Sequence, residues 1–264
     1  DTDNNKAIHL HGANYQLIPY EKILVGLSDA LDKYGIDIND TSLKFTVHPD
    51  LNYMRLRIMF GDTGDFGTYS MKYDQNDKLK FGIEVISSYD ASIIYQLRAM
   101  FLRLVCANGM KSFENINASM KRHTLNFNVE DSFKKLENLN DTFVNLKNTV
   151  EAYQSVTLTQ SDVEKLFRKF AKKSESKYHL LLNVLETDIH NSTLYDVYNA
   201  LTNYSSHNQR AIKIGKKDSE DYKLESCKRD SVRSSEDRDY EVRNFLNSND
   251  FIFYYHQGLS NMAS

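Results

Sequence analysis

Apolar residues change period several times along the chain, and each change marks a new element. In 14–35 (NYQLIPYEKILVGLSDALDKYG), an extended start leads to Pro19. Ile23, Leu24, Leu27 and Leu31 then recur at helical spacing until Gly35 stops the helix. Leu43, Phe45 and Val47 alternate with polar neighbours, as do residues 53–60 (YMRLRIMF), which predicts two strands joined across His48-Pro49-Asp50. Thr68–Tyr73 and Leu79–Ile86 predict a second pair. From Asp90, a plausible N-cap, the positions Ile93, Ile94, Leu97, Met100, Phe101, Leu104 and Val105 follow 3- and 4-residue spacing and predict a helix ending at Asn108-Gly109. Thr124–Phe127 reads as a short returning strand.

Beyond Phe133 the chain reads as helical. Leu136, Leu139, Phe143, Leu146, Val150 and Tyr153 keep a 3-4-3-4-3 spacing, the seam of a short coiled coil or helical hairpin. Ser161 to Glu164 has the form of a capping box for the next helix, and further helices are expected near 177–189 and 192–204. Residues 216–243 hold 17 charged residues of 28, which suits an exposed helix or linker. The closing FIFYYHQG at 251–258 is apolar enough to dock as a strand or to serve as an interaction tag.

The expected fold class is therefore α+β. It comprises an N-terminal helix, an antiparallel meander of about four strands packed on a long helix, and a mainly helical C-terminal part. The expected divisions are a core at 1–128, a helical region at 129–215, a charged segment at 216–245 and an apolar tail at 246–264.

Composition narrows the function classes. The chain has 264 residues, a formal net charge of -3 and two cysteines, Cys106 and Cys227. Two cysteines are too few for a disulfide scaffold or a cysteine-built zinc site. No apolar run reaches the roughly 18 residues of a membrane helix, and DTDNNKAIHLHGANYQL lacks a signal-peptide core, so a cytoplasmic protein without membrane contact is expected. Phosphate-loop and dinucleotide glycine motifs are absent. His9 and His11 share a strand face, but no further ligand completes a metal site. No nucleophile–base pair or paired-carboxylate set stands out by spacing. No catalytic residue, metal or cofactor is expected.

The positive signal is basic and aromatic. Residues 78–123 carry seven Lys/Arg against three acids, whereas the first 40 carry seven acids against three lysines. Arg55 and Arg57 share one strand face. Together with Arg98, Arg103, Lys111, Lys121, Arg122 and His123 they suit a phosphate-tracking groove, with Tyr53 or Tyr89 for stacking. A solvated charged face has the same composition.

Four ordered blocks add a resemblance. These are NYQLIPYEKI at 14–23, SSYDASI at 87–93 with RAMFLRLVCANGM at 98–110, Arg122-His123-Thr124, and TLYDVYNALTNYSSH at 193–207. They resemble the phage/plasmid-like family catalogued as domain of unknown function 932. Tyr89 stands where that family usually shows His, Ala91 where it shows Gly, and Tyr195 near where it shows Trp. The resemblance implies a mobile-element protein acting in the host cytoplasm. The order of helix and strands is also similar to the core of single-strand annealing recombinases, a fold-level analogy. The function expected is a single-stranded DNA binding or annealing protein in recombination, homo-oligomeric and without cofactor. The alternative is an oligomeric protein-interaction module, a virion or host-takeover component, without nucleic-acid activity.

Overall fold

The computed structural model describes residues 13–47, 52–61, 68–70, 78–103, 109–111, 122–185, 189–207, 209–213, 222–226 and 232–263. They form an α+β fold in two compact units. The described residues of 1–70, 76–105 and 114–146 make the first, and those of 71–75, 106–113 and 147–264 the second.

The first unit opens with helix α1 (Tyr20–Lys33), which starts after Pro19, buries Ile23, Leu27, Ala30 and Leu31, and ends where Gly35 takes φ 73°. That left-handed conformation suits glycine because it has no Cβ to clash. Strands β1 (Thr41–Val47), β2 (Tyr53–Phe60), β4 (Lys78–Ser88) and β5 (Gln96–Arg103) follow as antiparallel neighbours in the order β1-β2-β4-β5, and the short β3 (Tyr69–Ser70) also pairs with β4. Helix α2 (Val129–Phe133), a 3-10 turn, and the first half of α3 (Leu139–Gln154) complete the unit. Phe143 of α3 lies 5.1 Å from the Phe81 ring and 5.7 Å from the Phe101 ring, both of which are fully buried. Each ring of that kind contributes about 1.5–3 kcal/mol through burial.

The helix expected over 93–105 is a strand instead. Gln96 to Arg103 pair residue by residue with Ile86 to Leu79. Leu97, Ala99 and Phe101 face one side of the sheet, while Met100 and Leu102 face the other. Because both sides of β5 are covered, its apolar run is nearly continuous and a helical spacing fits it equally well. Asp90 caps no helix. Its carboxylate accepts from the Ser92 backbone N–H at 2.9 Å and from the Asn52 amide at 2.8 Å, closing the β4–β5 turn. The expected strand at 124–127 reduces to a single bridge between Thr124 and Tyr15.

The second unit contains β6 (Gly109–Lys111), the end of α3, α4 (Gln160–Ala171), α5 (Glu175–Val184), α6 (Leu194–Ser206), the hairpin β7 (Gln209–Lys213) and β8 (Tyr222–Ser226), α7 (Val232–Leu246) and α8 (Asn249–Ala263). The capping boxes are Thr159 with Asp162 and Thr193 with Asp196, so the first lies two residues ahead of Ser161–Glu164. The 3-4-3-4-3 seam is internal to the chain. Leu136, Leu139, Leu146, Val150 and Tyr153 are all buried, and the Tyr153 ring contacts Tyr198, Phe251 and Tyr255.

Described parts of 216–245 are ordered elements. Helix α7 buries Val242, Leu246, Ser235 and Asp239, and Glu241 pairs with Lys177 at 2.6 Å and accepts from the Tyr204 hydroxyl at 2.8 Å. FIFYYHQG docks as a helix, since Phe251, Tyr254 and Gly258 follow helical spacing on its buried side. Gly258 is needed there, because a Cβ would stand 2.3 Å from the Ala152 carbonyl oxygen.

One polar contact ties α8 to the α4 cap. The Tyr254 hydroxyl donates to Asp162 at 2.6 Å. Hydrogen bonds from Thr159 and Tyr254 outweigh burial and hold the Asp162 carboxyl below its ordinary value of 3.8. A depressed carboxylate contributes stability that is present above its unfolded pKa and is lost as the pH falls through the folded value. Tyr254→Phe is thus expected to cost about 1 kcal/mol at neutral pH and progressively less below pH 3.8, measured by urea unfolding at both pH values. An equal loss at both would contradict the contact.

Candidate nucleic-acid interface

Strand register sorts the charged residues of β1–β5 by face. Lys44, Arg57, Glu84 and Arg98 form one row across four strands. Arg55, Lys78 and Lys80 lie an even number of residues from members of that row, so they share its face. Arg103 is the one charged residue of these strands on the opposite face. Six cations against a single carboxylate leave this face strongly positive in a chain whose net charge is -3.

Glu84 is fully buried and organises the row. Arg57 and Arg98 sit directly opposite it on its two neighbouring strands. The Arg57 Nε donates to Oε1 at 2.7 Å, and the Arg98 Nε donates to Oε2 at 2.7 Å while its Nη2 also reaches Oε2. Arg55 Nε lies 3.4 Å from Oε1. A second donor of Arg98 reaches the Gln96 side-chain oxygen at 3.2 Å. The Arg98 side chain is only 2% exposed, whereas those of Arg55 and Arg57 are 14% and 24% exposed. Arg98 is therefore a buried brace, and Arg57 and Arg55 are held by the same carboxylate with part of each side chain at the surface. Lys44 and Lys78 are exposed and Lys80 is half-buried.

The expected site residues divide accordingly. Arg55, Arg57 and Arg98 come together around Glu84. Arg103 is buried on the other face and does not join them. Tyr53 is buried, and Tyr89 stacks on Tyr20 with ring centroids 3.9 Å apart while its hydroxyl accepts from the Tyr20 backbone N–H at 2.9 Å. Both tyrosines are used in packing. Lys121, the Lys111 side chain, His9, His11, Cys106 and Cys227 lie outside the described residues. Three lysines, Lys44, Lys78 and Lys80, were not assigned to the interface from sequence. The alternation around Lys44 is the signal that places it, since Leu43, Phe45 and Val47 take the other face.

Arg122 and His123 belong to a different place in the first unit. The Tyr15–Thr124 bridge and the bond from Gln16 N–H to the His123 carbonyl (2.9 Å) join the chain's start to this segment. The Tyr15 ring stacks on His123 at 5.2 Å, and its hydroxyl donates to the Ser88 carbonyl at 2.9 Å. Burial pushes the Tyr15 hydroxyl up to about 12, opposed by the Ala91 backbone and reinforced by the Asp90 charge. His123 Nε2 lies 3.3 Å from Ser87 Oγ, and both residues are buried. Burial opposes the charged form of Asp90, yet hydrogen bonds from Ser92, Asn52 and Ser88 hold its carboxyl below the ordinary value. Three of the four blocks singled out from sequence thus meet here, though they are separated by scores of residues. Among the described residues, no three His, Cys, Asp or Glu side chains are placed to share a metal ion, and no helix is long and apolar enough to cross a membrane.

The fold and site define an α+β protein with one cationic sheet face. The chain belongs to the family described as Domain of unknown function (DUF932), whose model matches residues 7–244. It matches no curated protein and no solved structure.

Two substitutions probe this framework. Glu84→Gln removes the charge that three guanidiniums share, and breaking a buried ion pair of this kind costs about 3–5 kcal/mol. Urea unfolding is expected to show that loss, and a change below about 1 kcal/mol would contradict the central role of Glu84. Ala91 adopts φ 57° in the β4–β5 turn. That region costs an L-residue about 1–2 kcal/mol, only partly offset by the greater unfolded-state freedom of glycine. Ala91→Gly is therefore expected to raise the unfolding midpoint, and a lower midpoint would show that the turn carries no such strain.

Proposed function

We propose that this protein binds single-stranded nucleic acid, DNA in particular, along the cationic face of its sheet. On this reading it acts in strand annealing and recombination for a mobile element such as a phage or plasmid. It works in the host cytoplasm as a homo-oligomer and needs no cofactor or catalytic residue. The observation that carries the reading is the segregation of Lys44, Arg55, Arg57, Lys78, Lys80 and Arg98 on one face against Glu84 alone. Several cations gathered on one face favour a polyanion, and counterion release supplies the affinity. Glu84 fixes the arginines in place, so less ordering entropy is lost when phosphates arrive. The surface-accessible members Lys44, Arg57, Lys78 and Lys80 make the phosphate contacts, and Arg98 acts as a positioning residue.

A second reading, an oligomeric interaction module of a virion or host-takeover system, is favoured by α8. Its outer side exposes Phe253, Leu259 and Met262, with Phe253 59% exposed.

The test is the salt dependence of oligonucleotide binding. Each phosphate contact on a single strand contributes about 0.7 to the slope of log K against log salt. Lys44→Ala/Lys80→Ala leaves the Glu84 cluster intact and is expected to lower that slope by about 1–1.5, read by fluorescence anisotropy. An unchanged slope would remove the sheet face from the interface.

A further inference from the structure

The pocket beside the β4–β5 turn has the character of a ligand site. It is an open pocket of about 590 Å³, lined by Ala91, Ile93 and Ile94 of the turn and Tyr15, with Arg122 and His123 of the Thr124 segment. That volume falls within the roughly 300–1,000 Å³ typical of small-molecule sites. Its apolar side is firm, because Ile93 is buried and pinned by two hydrogen bonds to the Ser88 hydroxyl, at 3.0 Å through its N–H and 2.8 Å through its carbonyl. Tyr15 and His123 form a stacked pair, and both are anchored from behind, by the Ser88 carbonyl and the Ser87 hydroxyl.

Among the described residues of the lining, Arg122 is the only side chain with a permanent charge. Asp90, the carboxylate next to Ala91 in sequence, turns its oxygens to Ser92 and Asn52. Asn14 adds an amide able to donate and accept, and Thr124 adds a hydroxyl. One cation at an apolar cavity selects a compact ligand with an apolar body and one anionic group. A polyanion would leave charge unpaired against Ala91, Ile93 and Ile94. A nucleotide fits this description, since a base has apolar faces, polar edges and a phosphate on one side.

We propose that this pocket holds a single nucleotide, its base against Ala91, Ile93 and Ile94 and its phosphate on Arg122. The assignment rests on the nucleic-acid reading above for its choice of nucleotide over other compact anions with an apolar body. It adds to the sheet face a place where one unstacked base of a bound strand is held apart from the rest.

The experiment titrates the full chain with deoxynucleoside monophosphates, followed by ligand-observed NMR. Controls are the matching nucleosides, deoxyribose 5-phosphate and benzoate. Monophosphates are expected to bind more tightly than every control. Arg122→Ala should weaken the monophosphates about ten-fold and leave the nucleosides unchanged. Ile94→Trp fills the cavity from a position that is 37% exposed, so it is expected to fold normally by circular dichroism and to lose both ligands. Deoxyribose 5-phosphate binding as tightly as the monophosphates would reduce the site to an anion contact and overturn the proposal. Equal binding of benzoate would assign the pocket to apolar anions in general and overturn it too, as would full affinity in a folded Ile94→Trp. Lys44→Ala/Lys80→Ala separates this proposal from the sheet reading. Mononucleotide affinity that survives in that variant, together with an oligonucleotide salt slope unchanged from that of the native chain, would sink the sheet reading alone. Oligonucleotide binding without mononucleotide binding would sink the pocket alone.

Discussion

The arginines of the cationic face depend on one buried carboxylate. A fully enclosed guanidinium such as Arg98 is costly unless its charge and donors are met inside the protein, and Glu84 meets them from the adjacent strand. The same carboxylate draws Arg57 from the other side and Arg55 from two residues along β2. Three like charges are thereby packed on neighbouring strands. Without Glu84 the face would repel itself, and with it the face remains positive yet ordered. From its position on β4, between β2 and β5, it reaches both flanking arginines directly opposite.

The two faces of the sheet divide the labour. One packs Phe81 and Phe101 against Phe143, and carries Leu97 and Ala99 on β5. The other gathers the charged residues. At the far end of β4, Ser87 and Ser88 turn the strand into a hub. Ser88 closes the turn through Ile93 and receives the Tyr15 hydroxyl, and Ser87 meets His123. The start of the chain, the strand end and the Arg122–Thr124 segment are fixed to each other there, which gives the neighbouring pocket rigid walls.

Much of this was legible in the sequence, and the failures have physical causes. Alternation placed β1 and β2 and put Arg55 and Arg57 together, because both strands have one apolar and one polar side. β5 defeated the same reasoning. Burial on both sides erases alternation, so Leu97, Met100 and Phe101 read as a helical stripe, and Asp90 at a turn looks like Asp90 at an N-cap because the carboxylate accepts from an N–H two residues on in either case. The part played by Glu84 was invisible for another reason. It follows from the register of three strands, which no local pattern encodes. Tyr89 and Tyr53 were read as available rings, yet aromatic residues bury large surfaces and these two are spent in packing. The coiled-coil-like seam was read correctly as a burying stripe, and its partners lie within the chain.

The most direct measurement is fluorescence anisotropy of a labelled single-stranded oligonucleotide, titrated with the full chain beside its duplex at two salt concentrations. The account predicts saturable binding that prefers the single strand and weakens steeply as salt rises. Absence of binding at low salt, or an affinity indifferent to salt, would contradict it.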